Sequence, residues 1–254
     1  IKIDHLKASL MNVPIEVKGD INLSNSNGIY LNTKASVSSF KVRPLLLEMP
    51  SIFPVKPSQI SQAATLVLDL SIKGNLVHKG AVPEINAAMK VENLWIDSPK
   101  DSIYLYLDSL GIAAKTRKSV DGDAMASGER IFDVQIGADT LNVNYFALAA
   151  LSGKNVALQA QASTRIVSAP LNEAGVDVIP VYGKISAGHL RLKDTEGSTI
   201  MLSNTENKFS VLPKKNNAKV PVLDLRSDSK MVAVRVKQGR AFLTKLHLDA
   251  TAVM

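Results

Sequence analysis

The stretch Thr65–Lys73, TLVLDLSIK, decides the fold. Leu66, Leu68, Leu70 and Ile72 share one phase, while Asp69, Ser71 and Lys73 share the other with Val67. Strict alternation of this kind is the signature of a half-buried strand with one wet face. The same pattern recurs along the chain. Ile103, Leu105 and Leu107 alternate with Tyr104, Tyr106 and Asp108; Val156, Leu158, Ala160 and Ala162 with Ala157, Gln159 and Gln161. Val232, Val234 and Val236 alternate with Ala233, Arg235 and Lys237, and Leu246 and Leu248 with Lys245, His247 and Asp249. Buried parallel strands read as continuous apolar runs, so alternation points to antiparallel sheet. Turn signals separate the runs at Asn25–Gly28, Val120–Asp123, Thr195–Ser198 and Lys214–Asn217.

Helix signals are scarce. Lys41–Met49 has Pro44 near a first turn and Pro50 at its close; Asn144–Leu151 has Asn144 as a cap and Gly153 beyond its end. Each predicts about two turns, too short to stand without packing on a sheet. Met49–Gln59 carries Pro50, Pro54 and Pro57 and reads as an irregular crossover. The expected fold is therefore all-β and mainly antiparallel, an elongated, curved, repetitive sheet or groove with one or two short helices. A β-sandwich or β-solenoid is the alternative.

The 254 residues read as one elongated β region, 1–254, and the opening Ile-Lys-Ile-Asp as that of a fragment of a larger protein. With 46% hydrophobic residues the chain can bury a core. No apolar run reaches the ~18 residues that a spanning helix needs. The motif apolar-x-Gly-polar-apolar occurs at Val17–Ile21, Ile72–Leu76 and Val181–Ile185. It suggests units of about 55 residues starting near Gly19, Gly74, Gly128 and Gly183, each burying its face by stacking on the next.

Little catalytic chemistry is legible. The absence of cysteine excludes disulfides, thiolate metal sites and a Cys nucleophile. His5, His78, His189 and His247 are far apart in the chain, and the last two fall on polar phases. Gly183–Gly188 has GxxSxG spacing around Ser186 with no helix after it, so it is not a nucleophile elbow. Asp121 and Asp123 do not open a calcium loop, because Met125 occupies the next ligand position. Trp95, Tyr104 and Tyr106 read as sheet-packing aromatics. No catalytic residue, cofactor or metal is expected, and the chain reads as a non-enzyme. The net charge of +7 falls entirely in residues 181–254, which hold 13 Lys and Arg against 6 Asp and Glu. Near Lys208, Lys214, Lys215 and Lys219 the one aromatic is Phe209, a composition that argues against nucleic acid and favours either a solvated face or anionic lipid head groups.

The apolar-x-Gly-polar-apolar copies, Gly188–Asp194 (GHLRLKD) and Glu92–Asp97 (ENLWID) resemble the AsmA-like proteins of Gram-negative bacteria, particularly larger relatives of the TamB and YhdP type. That resemblance implies a periplasmic β body, anchored to the inner membrane by a segment outside this chain. It implies a role in outer-membrane biogenesis, with phospholipid or another envelope lipid carried along an apolar groove. Leu66, Leu68, Leu70 and Ile72 are then the candidate lipid-facing residues. The alternative is a structural or adhesive sandwich or solenoid segment of a cell-envelope protein.

Overall fold

The computed structural model describes residues 1–10, 13–24, 28–47, 56–75, 83–99, 103–120, 130–145, 149–163 and 178–253. Twelve strands form one sheet in which every strand pairs antiparallel with its neighbours in sequence. They are β1 Lys2–Leu10, β2 Val13–Ser24, β3 Gly28–Lys41, β4 Thr65–Asn75, β5 Glu84–Ser98, β6 Ile103–Lys118, β7 Arg130–Tyr145, β8 Ala149–Ser163, β9 Val181–Asp194, β10 Thr199–Lys214, β11 Asn217–Val236 and β12 Gly239–Val253. The sheet is curved and not closed into a barrel. Among the described residues the strands form a single layer, and neither a sandwich nor a solenoid is formed. No helix among the described residues is long and apolar enough to cross a membrane.

Local chemistry sets the hairpins. At the β9–β10 turn Asp194 Oδ1 accepts from the Ser198 N–H at 2.7 Å, and Gly197 takes a φ of +87°. This conformation is cheap only without a Cβ. After the β10–β11 turn the Lys219 N–H donates to Asn217 Oδ1 at 3.1 Å. In β2, Gly19 adopts a φ of +143°, and a Cβ there would meet the Asn32 carbonyl of β3. Gly74 shares the positive φ, and Gly183 lies in β9; Gly128 falls outside the described residues.

One expected helix forms and one does not. Val42–Leu47 is α1, inside the stretch 41–49. Its Val42 N–H donates to the Ala64 carbonyl at 3.0 Å. Over 144–151 the chain is strand instead: Asn144 pairs with Ala150 and Tyr145 with Ala149, closing the β7–β8 ladder, while 146–148 lie outside the described residues. A two-turn helix gains less than a ladder that satisfies the same backbone groups against both neighbouring strands. Of the crossover Met49–Gln59, Lys56 and the 3-10 turn Pro57–Gln59 are described.

The core sits where this crossover meets the sheet. Val42, Ile60, Ala64, Val91 and Ile96 are buried together, with Leu66, Met89, Leu94, Leu105 and Leu110 packed against them. Beyond β4, Ile60 bridges Ile96 and so extends pairing along the upper half of β5.

This cluster exposes a feature of the strands themselves. Met89 and Val91 are odd-numbered while Leu94 and Ile96 are even-numbered, yet all four join one cluster. Leu105 and Leu110 do likewise on β6. The apolar phase therefore slips by one residue in mid-strand. Left-handed residues punctuate the slip: Asn93 (φ 53°) on β5, Asn155 (51°) on β8, Asn204 (47°) on β10 and Lys245 (60°) on β12. Partner strands slip at the same level, so the register resumes unchanged, as in Leu110↔Ala138 followed by Leu107↔Leu141. The apolar phase thus returns to one side, called face A, in both halves of these long strands. Face B is the opposite side.

Candidate functional site

Cross-strand partners lie on the same side of a sheet, so the pairings place each predicted residue. Leu66 pairs with Phe40 and Val91, Leu68 with Val37 and Met89, Leu70 with Ala35 and Ala87, and Ile72 with Thr33 and Ile85. All four leucine and isoleucine side chains are partly buried on face A, while Asp69 and Lys73 are exposed on face B. The row through Leu70 crosses the whole sheet: Leu6, Val17, Ala35, Leu70, Ala87, Ala114, Val134, Ala160, Gly183, Phe209, Leu225, Ala250. Every member is apolar. Beyond the phase slip a second row, Leu94, Leu107, Leu141, Gly153, Leu190, Leu202, Val232, Leu243, repeats this from β5 to β12.

At β5 and β6 face A is the more sheltered side. Ala87 and Ala114 on face A are partly buried, whereas their chain neighbours Ala88 and Ala113 on face B are exposed, with the same side chain in the same strands. Among the described elements, strands make their substantial contacts with sequential neighbours, and the 3-10 turn touches β5. Face A is thus covered by the crossover at β4–β6 and by no second layer elsewhere among the described residues.

One polar interruption was not legible from alternation. On β10 and β11 the face A positions Thr205 and Ser229 are buried, and the Ser229 hydroxyl donates to Thr205 Oγ1 at 2.8 Å. Asn207 and Ser227 continue it, in register with each other. The Asn207 amide also donates to Thr205 Oγ1, at 3.4 Å, and these bonds offset the cost of placing Thr205, Asn207 and Ser229 in an apolar strip.

Face B carries the cavities. One of about 560 Å³ is lined by Glu16, Lys18, Lys34, Lys115 and Gln135, together with Leu70 and Ala87. A second, about 850 Å³, runs from Arg117 and Asp133 to Asp249 and Thr251. Asp133 is buried there and paired with Arg117 at 3.2 Å. Glu206 lies 3.1 Å from Lys208 and 3.4 Å from Lys184, and the Lys208 hydrogen bond foremost holds its carboxyl below the usual range. These are charge ladders that tie neighbouring strands.

The other residues singled out in the sequence do not converge. Ser186 lies in mid-β9, paired with Ala157 and Glu206, so its backbone is extended and no elbow exists. His189 Nδ1 sits 3.2 Å from Ser203 Oγ, and His5 is 3.5 Å from Glu16. Trp95 pairs across strands with Tyr106 on face B and is 38% exposed. His78, Asp121 and Asp123 fall outside the described residues. No group of three or more His, Asp or Glu among the described residues is disposed to hold a metal ion. Compared with known proteins, the chain matches no family model, no curated protein and no solved structure.

Proposed function

We propose that this chain is the β body, or a portion of it, of a non-enzymatic lipid-handling protein of the Gram-negative envelope. Acyl chains lie along face A, across the row through Leu70. The observation that supports this reading is the twelve-strand apolar row with no second layer over it among the described residues. A soluble domain ordinarily buries such a face against a second sheet or helices. Contiguous apolar surface left uncovered marks a binding site for an apolar partner. Acyl chains match it because they need no hydrogen bonds and adapt to a long strip. The sequence resemblance to AsmA-like proteins supports the same reading and supplies the setting: the periplasm, anchorage to the inner membrane and service to outer-membrane biogenesis.

The test is native mass spectrometry and lipid extraction of protein purified without detergent, on the parent and on Leu70→Asp. Co-purified phospholipid in the parent, and its loss in a variant that keeps a parental circular dichroism spectrum, is the expected result. A lipid-free parent together with a Leu70→Asp variant that unfolds would mean a closed core, and a structural β segment in place of a lipid carrier. A carboxylate on an open strip stays hydrated, whereas one in a closed core costs several kcal/mol.

A further inference from the structure

Face B changes character at one corner. Along β10, β11 and β12 the alternation predicts polar residues on this side, yet Met201, Ala233 and Phe242 form a cross-strand row there. Phe242 is 64% exposed and Met201 39%. Met231 adds to the patch on the next row and is likewise exposed. They line one side of a cavity of about 520 Å³ that reaches Asn142, Ser152 and Arg191.

The adjoining row toward the hairpin tips is cationic. Lys193 and Arg235 both pair with Thr199, and Arg235 stands directly opposite Arg240. Like charges directly opposed across strands destabilise a sheet; Lys184 and Lys208, also register partners on this face, share the Glu206 carboxylate at 3.4 and 3.1 Å. Arg191, Lys193, Arg235 and Arg240 are exposed and make no ion pair among the described residues. Arg235 and Arg240 have no such carboxylate between them among the described residues.

We infer that this corner, with Phe242 and Met201 at its centre and Lys193, Arg235 and Arg240 at its rim, docks on the surface of an anionic phospholipid bilayer. Exposed aromatic and methionine side chains enter the head-group boundary, and the cations meet lipid phosphates. A nucleic acid would satisfy the cations but would leave Met201 and Met231 without a complementary surface. This docking uses face B and is separate from acyl chains on face A.

The test is co-sedimentation with vesicles of phosphatidylcholine alone and of equimolar phosphatidylglycerol and phosphatidylcholine. The parent binds the anionic vesicles, binding falls with added salt, and phosphatidylcholine alone retains little. Arg235→Gln/Arg240→Gln weakens binding about thirtyfold, at ~1 kcal/mol for each basic residue at the surface. Phe242→Ser weakens the salt-resistant remainder. Lys214→Gln/Lys215→Gln removes the same charge at the opposite end of the sheet and binds as the parent does. Leu70→Asp, which addresses face A, also binds as the parent, so failure of the groove reading and failure of docking are read separately. Equal losses in both double variants would reduce the effect to net charge and overturn the proposal. So would an unbound parent, or a DNA duplex that displaces the vesicles through the same arginines.

Discussion

The Ser61 hydroxyl donates to the Asn93 carbonyl at 2.8 Å, across 32 residues of sequence. The same oxygen accepts from the Trp95 N–H at 3.2 Å, and the Ser61 N–H donates to the Trp95 carbonyl at 3.0 Å. Asn93 is where β5 turns left-handed and where pairing with β4 ends, at Thr65↔Glu92. Backbone groups freed at that point need other partners. One serine on the crossover supplies them, so the crossover is fastened at the level where the apolar phase slips.

Ser61→Ala is expected to destabilise the protein by about 1–3 kcal/mol, since Ser61 is fully buried and its loss strands two backbone groups. Urea denaturation followed by circular dichroism measures this. Ser58→Ala, at an exposed position, should be neutral within ~0.5 kcal/mol. Equal effects for the two would mean the Ser61 contacts contribute nothing.

The left-handed positions predict a gain of stability. Lys245 holds a φ of 60° with an exposed side chain, so Lys245→Gly should stabilise the fold or leave it unchanged despite a glycine in a strand. Asn93→Ala should cost about 1 kcal/mol, because alanine tolerates that conformation less well than asparagine. Thermal unfolding separates the two; a loss in Lys245→Gly as large as that in Asn93→Ala counts against a left-handed requirement.

Gly183 and Phe209 are register partners on face A, and a Cβ on Gly183 would meet the Phe209 ring. Gly183→Val is expected to cost about 1–3 kcal/mol by displacing the ring. In a Phe209→Ala background the same change should cost much less. A double-mutant cycle reads the coupling directly, and additive losses would show that the ring does not pack there.

His247 and Asp228 predict a pH window for the outer edge. His247 Nδ1 lies 2.6 Å from Asp228 Oδ1, and Nε2 lies 3.0 Å from Asp249 Oδ2. The Asp228 hydrogen bond foremost, then Asp249, raises the imidazole above its ordinary 6.5. The hydrogen bond from His247 foremost lowers the Asp228 carboxyl below 3.8. The histidine contribution is complete below 6.5 and is lost as pH rises through its raised folded value. The aspartate contribution is complete above 3.8 and is lost as pH falls through its lowered folded value. Amide-exchange protection of β12, corrected for intrinsic rates, should therefore be greatest between these limits, and His247→Gln should remove its decline on the alkaline side. A profile identical in parent and variant would exclude the linkage.

Local chemistry is legible in the amino-acid order alone. Alternation at Leu66–Lys73 and Val156–Ala162 predicts strands with one dry phase, and Thr195–Ser198 predicts the turn that forms there, because these signals act over a few residues. Antiparallel pairing follows from the alternation, since buried parallel strands are continuously apolar. The tertiary structure decided the rest. Asn144 and Tyr145 became strand because Ala149 and Ala150 offered a ladder, which no propensity records. The phase slip at Asn93, Asn155, Asn204 and Lys245 makes odd and even residues of one strand share a side, so a face extrapolated from either half alone inverts in the other. The opposition of Arg235 and Arg240, and the apolar row Met201, Ala233 and Phe242 beside it, exist only through register between strands. Register is a property of paired chains, and a side chain's neighbours across a sheet lie tens of residues away in the sequence that encodes them.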